Sequence, residues 1–421
     1  MSAKKIARLT VLFFVVLLLA SPLWAQGQAQ AQKENPTEFK LGFMTSFSGT
    51  FAAVAETQRM GVNLAVKEVN DAGGLNMPWG KVKVTVLEKD DEAKLDVGAR
   101  RYRELKDAGM NAIVGTVWNP MAGLINTESL EDPIPYIAAC VPAIETFVKG
   151  ETATGTFSVA FTPWSIGYLA GTVAVKELGA KTIYWVERSD SWGSVMRQGL
   201  EAALKEHGGE IIGKFEFVTG TVDYSAGINE AMRLKPDVFL ASNFSADAIA
   251  LFKQAYDMGL TKVTIPFNAF ITNVVGMGIP SAARADLYGL HYFYWDMENY
   301  GDPVLAKKAK DYTDAHMKAF GEAPDSYGTI AYTATQMILQ AVQEAGTFEV
   351  NEVSKVIANK TFDTVKGPSY FREDHELVGD YLTYLVKGKP DSESKNKFDV
   401  FSVKGHFGGG QALPPLSMLG Y

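Results

Sequence analysis

Short apolar runs alternate with amphipathic stretches along most of this chain, and the alternation runs twice. In the first run, apolar segments Lys40–Met44, Val82–Leu87, Ala112–Val117 and Pro135–Ala139 predict strands. A helix carrying Val62, Val66 and Val69 on one face follows the first of them and stops at Asp71-Ala72-Gly73-Gly74. The rhythm restarts near residue 160. Helices over Ser165–Leu178 and Val195–Glu206, and one carrying Ile249, Phe252 and Tyr256, alternate with strands Thr182–Val186, Lys214–Val218, Val238–Ala241 and Val263–Phe267. Strands separated by whole helices cannot pair as hairpins; they form βα units and parallel sheets. The expected fold is therefore α/β, with two doubly wound lobes. Beyond Leu287 the chain offers an aromatic strand, Tyr288–Trp295, helices near 303–319 and 328–345, and a strand Tyr381–Val386. That remainder is small for a third lobe and is expected to complete the first two by crossing between them.

Composition narrows the function. At 421 residues, 47% hydrophobic and 21% charged, the chain is globular and long enough for two or three domains. Forty basic residues against 48 acidic ones give a net charge of −8, which argues against a nucleic-acid partner. The single cysteine, Cys140, excludes an internal disulfide and a cysteine-based zinc cluster. Residues 1–25 read as a signal peptide: Lys4, Lys5 and Arg8 precede an apolar stretch from Leu9 to Ala20, and Ala25 follows a Ser21-Pro22 break. Loss of those three basic residues would leave a charge of −11. Residues 26–37 are Gln-rich and read as a flexible leader. The expectation is an exported, periplasmic or otherwise extracytoplasmic protein.

Catalytic motifs are missing from the sequence: there is no phosphate loop, no H-E-x-x-H, no G-x-S-x-G and no G-x-G-x-x-G after a strand. His207, His291, His316, His375 and His406 are scattered, without metal-ligand spacing. Asp90-Asp91-Glu92 could suggest a divalent metal, but it reads better as a strand end leading into a helix N-terminus, where carboxylates suit the dipole. Gly408-Gly409-Gly410 has no helix after it, so 406–421 is expected to be a tail. Neither cofactor, metal nor enzymatic activity is expected.

The order of several local patterns resembles the leucine/isoleucine/valine-binding type of periplasmic solute-binding protein, the receptor of an ABC importer. The patterns are Lys40–Met44 with Ser48-Gly49 and Gly61, Asn70-Asp71-Ala72-Gly73-Gly74-Leu75, Asp90-Asp91, and Ala112-Ile113-Val114-Gly115 with the strand into Ala138-Ala139. Asp190-Ser191-Trp192-Gly193, Phe252–Ala255 with Gly259-Leu260, and Asp363–Pro368 continue the likeness, which spans roughly 38–390. The resemblance implies two lobes joined by a three-segment hinge, a small-molecule ligand enclosed between them, a membrane permease as partner, and a monomer. It divides the chain into an N-terminal lobe, 38–160 plus 290–380, and a C-terminal lobe, 161–289 plus 381–405.

Ligands of parallel sheets sit beyond the strands' carboxyl ends. The loops placed there are Thr45–Phe51, Val117–Met121, Ala138–Pro142, Phe161–Ser165, Ser189–Gly193, Asn243–Ala246 and Phe267–Phe270. In amino-acid receptors of the family, hydroxyl side chains hold the ligand carboxylate and an acidic residue holds its ammonium. Local alignment puts Asn119 and Cys140 at the hydroxyl positions, Asn268 at the acidic one and Phe244 at an aromatic one. A neutral amide cannot neutralise a buried ammonium, and a thiol is a poor donor. The candidate contacts are Trp118, Asn119, Ala138 and Cys140 on one lobe and Trp192, Phe244 and Asn268 on the other. Asn119 before Pro120 also reads as a helix N-cap. The same loops carry Phe47, Phe51, Phe161, Trp164, Phe267 and Phe270, so the expected solute is small and largely apolar, an aromatic or aliphatic carboxylate or amide. A branched-chain or other hydrophobic amino-acid receptor, and a ligand-sensing component of a signalling system, are the alternatives.

Overall fold

A computed structural model of the chain describes residues 35–297 and 300–421. The expected signal segment 1–25 and residues 26–34 of the expected leader lie outside the described residues. From Glu38 to Tyr421 the chain forms one compact unit built on two main sheets.

The first sheet contains β1 (Glu38–Thr45), β2 (Leu75–Met77), β3 (Gly80–Asp90), β4 (Ala112–Gly115), β5 (Tyr136–Ala138) and β6 (Thr156–Ser158), in the order β2-β3-β1-β4-β5-β6. Only the β2–β3 pair is antiparallel; β1 runs parallel to β3, Thr45 opposite Asp90, and to β4, Met44 opposite Gly115. The second sheet takes β7 (Thr182–Arg188), β8 (Glu210–Phe217), β9 (Val238–Ala241), β10 (Ile265–Asn268) and β11 (Tyr288–His291) in parallel. After a three-stranded sheet of β12 (Phe362–Thr364), β13 (Gly367–Phe371) and β14 (Leu377–Gly379), strands β15 (Thr383–Gly388) and β16 (Phe401–Phe407) add antiparallel to its edge beside β11. Central strands β4 and β9 are buried at every residue, as apolar strands covered by helices on both faces should be.

The chain crosses between the two sheets three times: after β6, after β11 and after β14. The crossings touch one another. Tyr292 Oη donates to Val159 O at 3.0 Å, Thr383 Oγ1 to His291 O at 3.1 Å, and the buried Lys366 Nζ to Leu382 O at 2.6 Å. The aromatic strand expected to reach Trp295 therefore ends at His291. Its later rings serve the crossing instead: Tyr294 Oη bonds Asp399 and accepts from Phe401 N.

Between the second and third crossings, helix Ser326–Ala345 returns to the first sheet and packs along helix Ala52–Asp71. Gly61 and Gly328 meet there, and a Cβ on Gly61 would lie 2.0 Å from Gly328 O, so the two helix backbones are in direct contact. Residues 406–421 do not lie loose, against the expectation of a tail. Leu413 and Leu419 are buried, the latter against Ile144, Phe147, Trp164 and Val195, because the segment carries enough apolar surface to cover that edge. Among the described residues, no helix is long and apolar enough to cross a membrane.

Candidate functional site

In each sheet the strand order reverses beside one strand, which opens a crevice at the carboxyl ends. β1 has β3 on one side and β4 on the other; β7 has β8 and β9. The residues following these strands are the candidates for ligand contact.

At the first sheet the polar side chains there bond to one another. Thr45 Oγ1 donates to Gln58 Oε1 at 2.6 Å and accepts from Val117 N. Gln58 Nε2 donates to Thr116 O and Ala139 O, tying the ends of β1, β4 and β5 together. Asp91 accepts from Ser46 Oγ at 2.5 Å, Thr116 Oγ1 at 2.7 Å and Ala93 N at 2.8 Å. Its carboxyl is pushed above the ordinary range by burial, against the lowering effect of those bonds. The Asp90-Asp91-Glu92 run thus ties loops rather than opening a helix, which begins only at Leu95.

At the second sheet the ends are aromatic and incompletely bonded. Phe244 is the centre. Its ring lies 6.2 Å from Trp192, 6.3 Å from Phe270, 5.4 Å from Tyr327 and 6.3 Å from Phe51, centroid to centroid, all within the range of favourable ring pairs. Phe51 and Tyr327 belong to elements of the first lobe, so the cluster is built from both sides. Phe161, on a crossing, extends it against Phe270. Two further bonds join the sides. Ser245, in a left-handed conformation with φ 54°, donates from Oγ to Thr50 O at 2.9 Å. Asp325, ahead of helix Ser326–Ala345, accepts from Val274 N at 3.0 Å.

The sequence-derived residues fall as follows. Trp192, buried, donates Nε1–H to Ser242 O at 2.8 Å, which fixes its ring beside Phe244. Asn268 is fully buried, donates Nδ2–H to Asn243 O at 2.9 Å, and leaves Oδ1 without a partner, as does Asn243. Cys140 is fully buried after β5, where burial pushes its thiol up to about 12, a protonated and unreactive state. Ala138 is the last residue of β5. Asn119 is buried but opens its helix as the first helical residue; Trp118, half-buried, stands at the cap, one residue earlier than the sequence reading placed it. Trp164 sits in the separate cluster with Leu419, away from the Phe244 rings.

Two residues of this region escape the sequence reading. Arg188 ends β7 with a side chain only 8% exposed. Tyr327 sits in the first turn of helix Ser326–Ala345, 2% exposed, its hydroxyl unpartnered among the described residues. Its ring lies 5.4 Å from Phe244 and 5.9 Å from Phe270 of the second lobe, while its helix packs along Ala52–Asp71 of the first. A signal for Arg188 existed: it directly precedes the Ser189–Gly193 loop. None marked Tyr327, which arrives from the returning segment.

A sequence profile described as periplasmic binding protein matches residues 38–393. The chain belongs to the periplasmic binding protein family. Members are solute-binding proteins rather than enzymes, and the family implies an extracytoplasmic location. A relative named Leu/Ile/Val-binding protein homolog 8, from Brucella suis, is 23% identical over 369 residues, covering 83% of this chain and 87% of the relative. Among solved structures, an amino acid ABC transporter substrate-binding protein from Pseudomonas fluorescens superposes with TM-score 0.81 at 20% identity, covering 91% of this chain and 98% of that one. A solute-binding protein of an ABC transporter from R. palustris, in complex with benzoate, superposes with TM-score 0.75 at 19% identity, covering 89% and 99%. These likenesses carry the two-lobed α/β fold.

Other features of this periplasmic binding protein compete poorly with the strand ends. A surface groove of about 460 Å³ is lined by Met277, Arg284 and Asp391. The Arg284 guanidinium there is already bonded to Gly276 O, Ile279 O, Lys389 O and Asp391. Among the described residues no group of three or more His, Cys, Asp or Glu side chains could hold a metal.

Proposed function

We propose that this periplasmic binding protein is the receptor of an ABC importer, and that its two lobes close on a small, largely apolar carboxylate or amide. The observation that carries the reading is the ring cluster around Phe244, contributed from both sides, together with a neutral amide at Asn268. Such surroundings suit a planar or aliphatic body, and they provide no carboxylate at Asn268 for a buried ammonium. The rings touch one another, so a solute enters only when the lobes part. Trp118, Asn119, Ala138 and Cys140 would face it from the first lobe, Trp192, Phe244 and Asn268 from the second. The benzoate complex of the R. palustris neighbour shows that the fold accommodates an aromatic acid.

A second reading, a hydrophobic amino-acid receptor, is favoured by the unpartnered Oδ1 atoms of Asn243 and Asn268, which could accept from an ammonium, and by the name of the Brucella relative. Cleavage of 1–25, a monomeric state and delivery to a permease rather than a sensor belong to the proposal as well. The test is a thermal-shift panel on protein freed of carried-over solute, with leucine, valine and phenylalanine beside benzoate, short aliphatic carboxylates and simple amides. A true ligand at about a hundred times its Kd adds about 2.7 kcal/mol, a shift of a few degrees. Stabilisation by amino acids alone would overturn the main reading.

A further inference from the structure

Arg188 is the least satisfied cation of the site. Its backbone N–H donates to Ser242 Oγ at 2.9 Å, which pins the residue at the crevice between β7 and β9. Its Nε–H meets both oxygens of Asp190 at 2.9 Å, and its guanidinium carbon lies 5.1 Å from the centre of the Trp192 ring. Among the described residues, neither terminal nitrogen has an acceptor, although the side chain is nine-tenths buried. The terminal nitrogens of Arg188 are not among the buried atoms that lack a partner, so they keep some contact with solvent and remain free to donate. Their parallel pair has the geometry of a carboxylate.

The surroundings give direction to that fork. Trp192 holds one face, and Tyr327, from the other lobe, packs its ring on Phe244 and Phe270. Phe244 links both rings. Two acids lie near. Asp190 is half-exposed and already turned to Nε, and Asp247, buried and kept above the ordinary carboxylate range mainly by burial, accepts from Gly220 N. Neither bonds the terminal nitrogens.

We infer that Arg188 anchors the acid group of the solute, its terminal nitrogens gripping a carboxylate in a bidentate pair while the Tyr327 hydroxyl donates a third bond and the solute's apolar body lies among Phe244, Trp192 and Phe270. This deepens the proposed function and rests on it: of the carboxylate and amide classes left open there, it selects the carboxylate.

The test is calorimetric titration of the wild-type protein, Arg188→Gln and Arg188→Lys with benzoate, benzamide and leucine, with circular dichroism to confirm folding. Benzoate should bind the wild type more tightly than benzamide. Arg188→Gln should weaken benzoate about a hundredfold, as removal of one partner of a buried charged pair does, and leave benzamide within about threefold. Arg188→Lys, which keeps the charge and loses the fork, should fall between and serves if the glutamine variant does not fold. Equal loss for benzoate and benzamide, or unchanged affinity for every carboxylate, would overturn the anchor. Leucine binding that Arg188→Gln abolishes, without benzoate binding, would uphold the anchor and overturn the non-amino reading.

Discussion

The two sets of strand ends that face each other in this protein are built on opposite principles. On the first sheet, Thr45, Ser46, Gln58, Asp91 and Thr116 bond among themselves and to the backbones of β1, β4 and β5. On the second, Arg188, Asn243 and Asn268 keep polar atoms without protein partners beside a layer of aromatic rings. A closed polar network rigidifies and has nothing left to offer a ligand. Buried polar atoms without partners are tolerated where something else is to meet them. Under the proposed function, the network at the first sheet's strand ends would serve as a stiff wall, and the second lobe, with Tyr327 reaching across to it, as the surface that discriminates.

The largest expected effect strikes the wall. Asp91→Ala leaves the donors of Ser46, Thr116 and Ala93 unpaired and should cost about 3 kcal/mol in urea unfolding, with solute affinity changed less than threefold. An Asp91 variant of full stability and lost binding would reverse the comparison. Next comes Phe244→Ala, expected to weaken the solute about thirtyfold, as loss of a central aromatic contact does, with a smaller loss of stability than Asp91→Ala. If the Phe244 variant binds normally, the discriminating surface lies elsewhere.

A third test concerns the bond between the sides at Asp325. Burial pushes its carboxyl up to about 6 from an ordinary 3.8, against four backbone N–H bonds that lower it. The folded state therefore holds this proton over a pH range in which the unfolded chain has released it. Its contribution to stability should be full below pH 4, decline as pH rises through 6, and stay flat above. Urea unfolding from pH 4 to 8 should show less of this decline in Asp325→Asn; identical slopes would remove Asp325 from the account. The smallest effect is kinetic. The thiol of Cys140, buried and held up to about 12, should react with a disulfide reagent only as the lobes part, so a bound solute should slow labelling further. Fast labelling unaffected by solute would show that the first wall opens on its own.

Most of the parallel strands were legible because they are short apolar runs closed by turn residues, and β9, Val238–Ala241, has the expected bounds, whereas three-residue β6, Thr156–Ser158, gave no such run. Helix Ser225–Leu234 and the small sheet β12–β14 were not, since ten residues or strands of three to five give periodicity too little length. Within the site, Trp192 and Phe244 do meet, while Trp164 does not join them. Arg188 was passed over, although it borders the Ser189–Gly193 loop, because a polar residue ending a strand reads as the strand's boundary. Tyr327 was hidden because its ring neighbours Phe270 and Phe244 lie about sixty and eighty positions away in sequence, beyond the reach of any local pattern.

The bonds from Ser245 to Thr50 and from Asp325 to Val274 form without any help from a solute. If the lobes open and close as proposed, each bond would bias that equilibrium in the empty protein, since apparent affinity is intrinsic affinity scaled by the fraction already closed. A change at either bond multiplies the affinity for every solute by the same factor. On the proposed function, selectivity would then be altered at Arg188 and Phe244 while overall sensitivity is set at the Ser245 and Asp325 bonds, so the concentration to which the protein responds and the compound it takes could be changed separately.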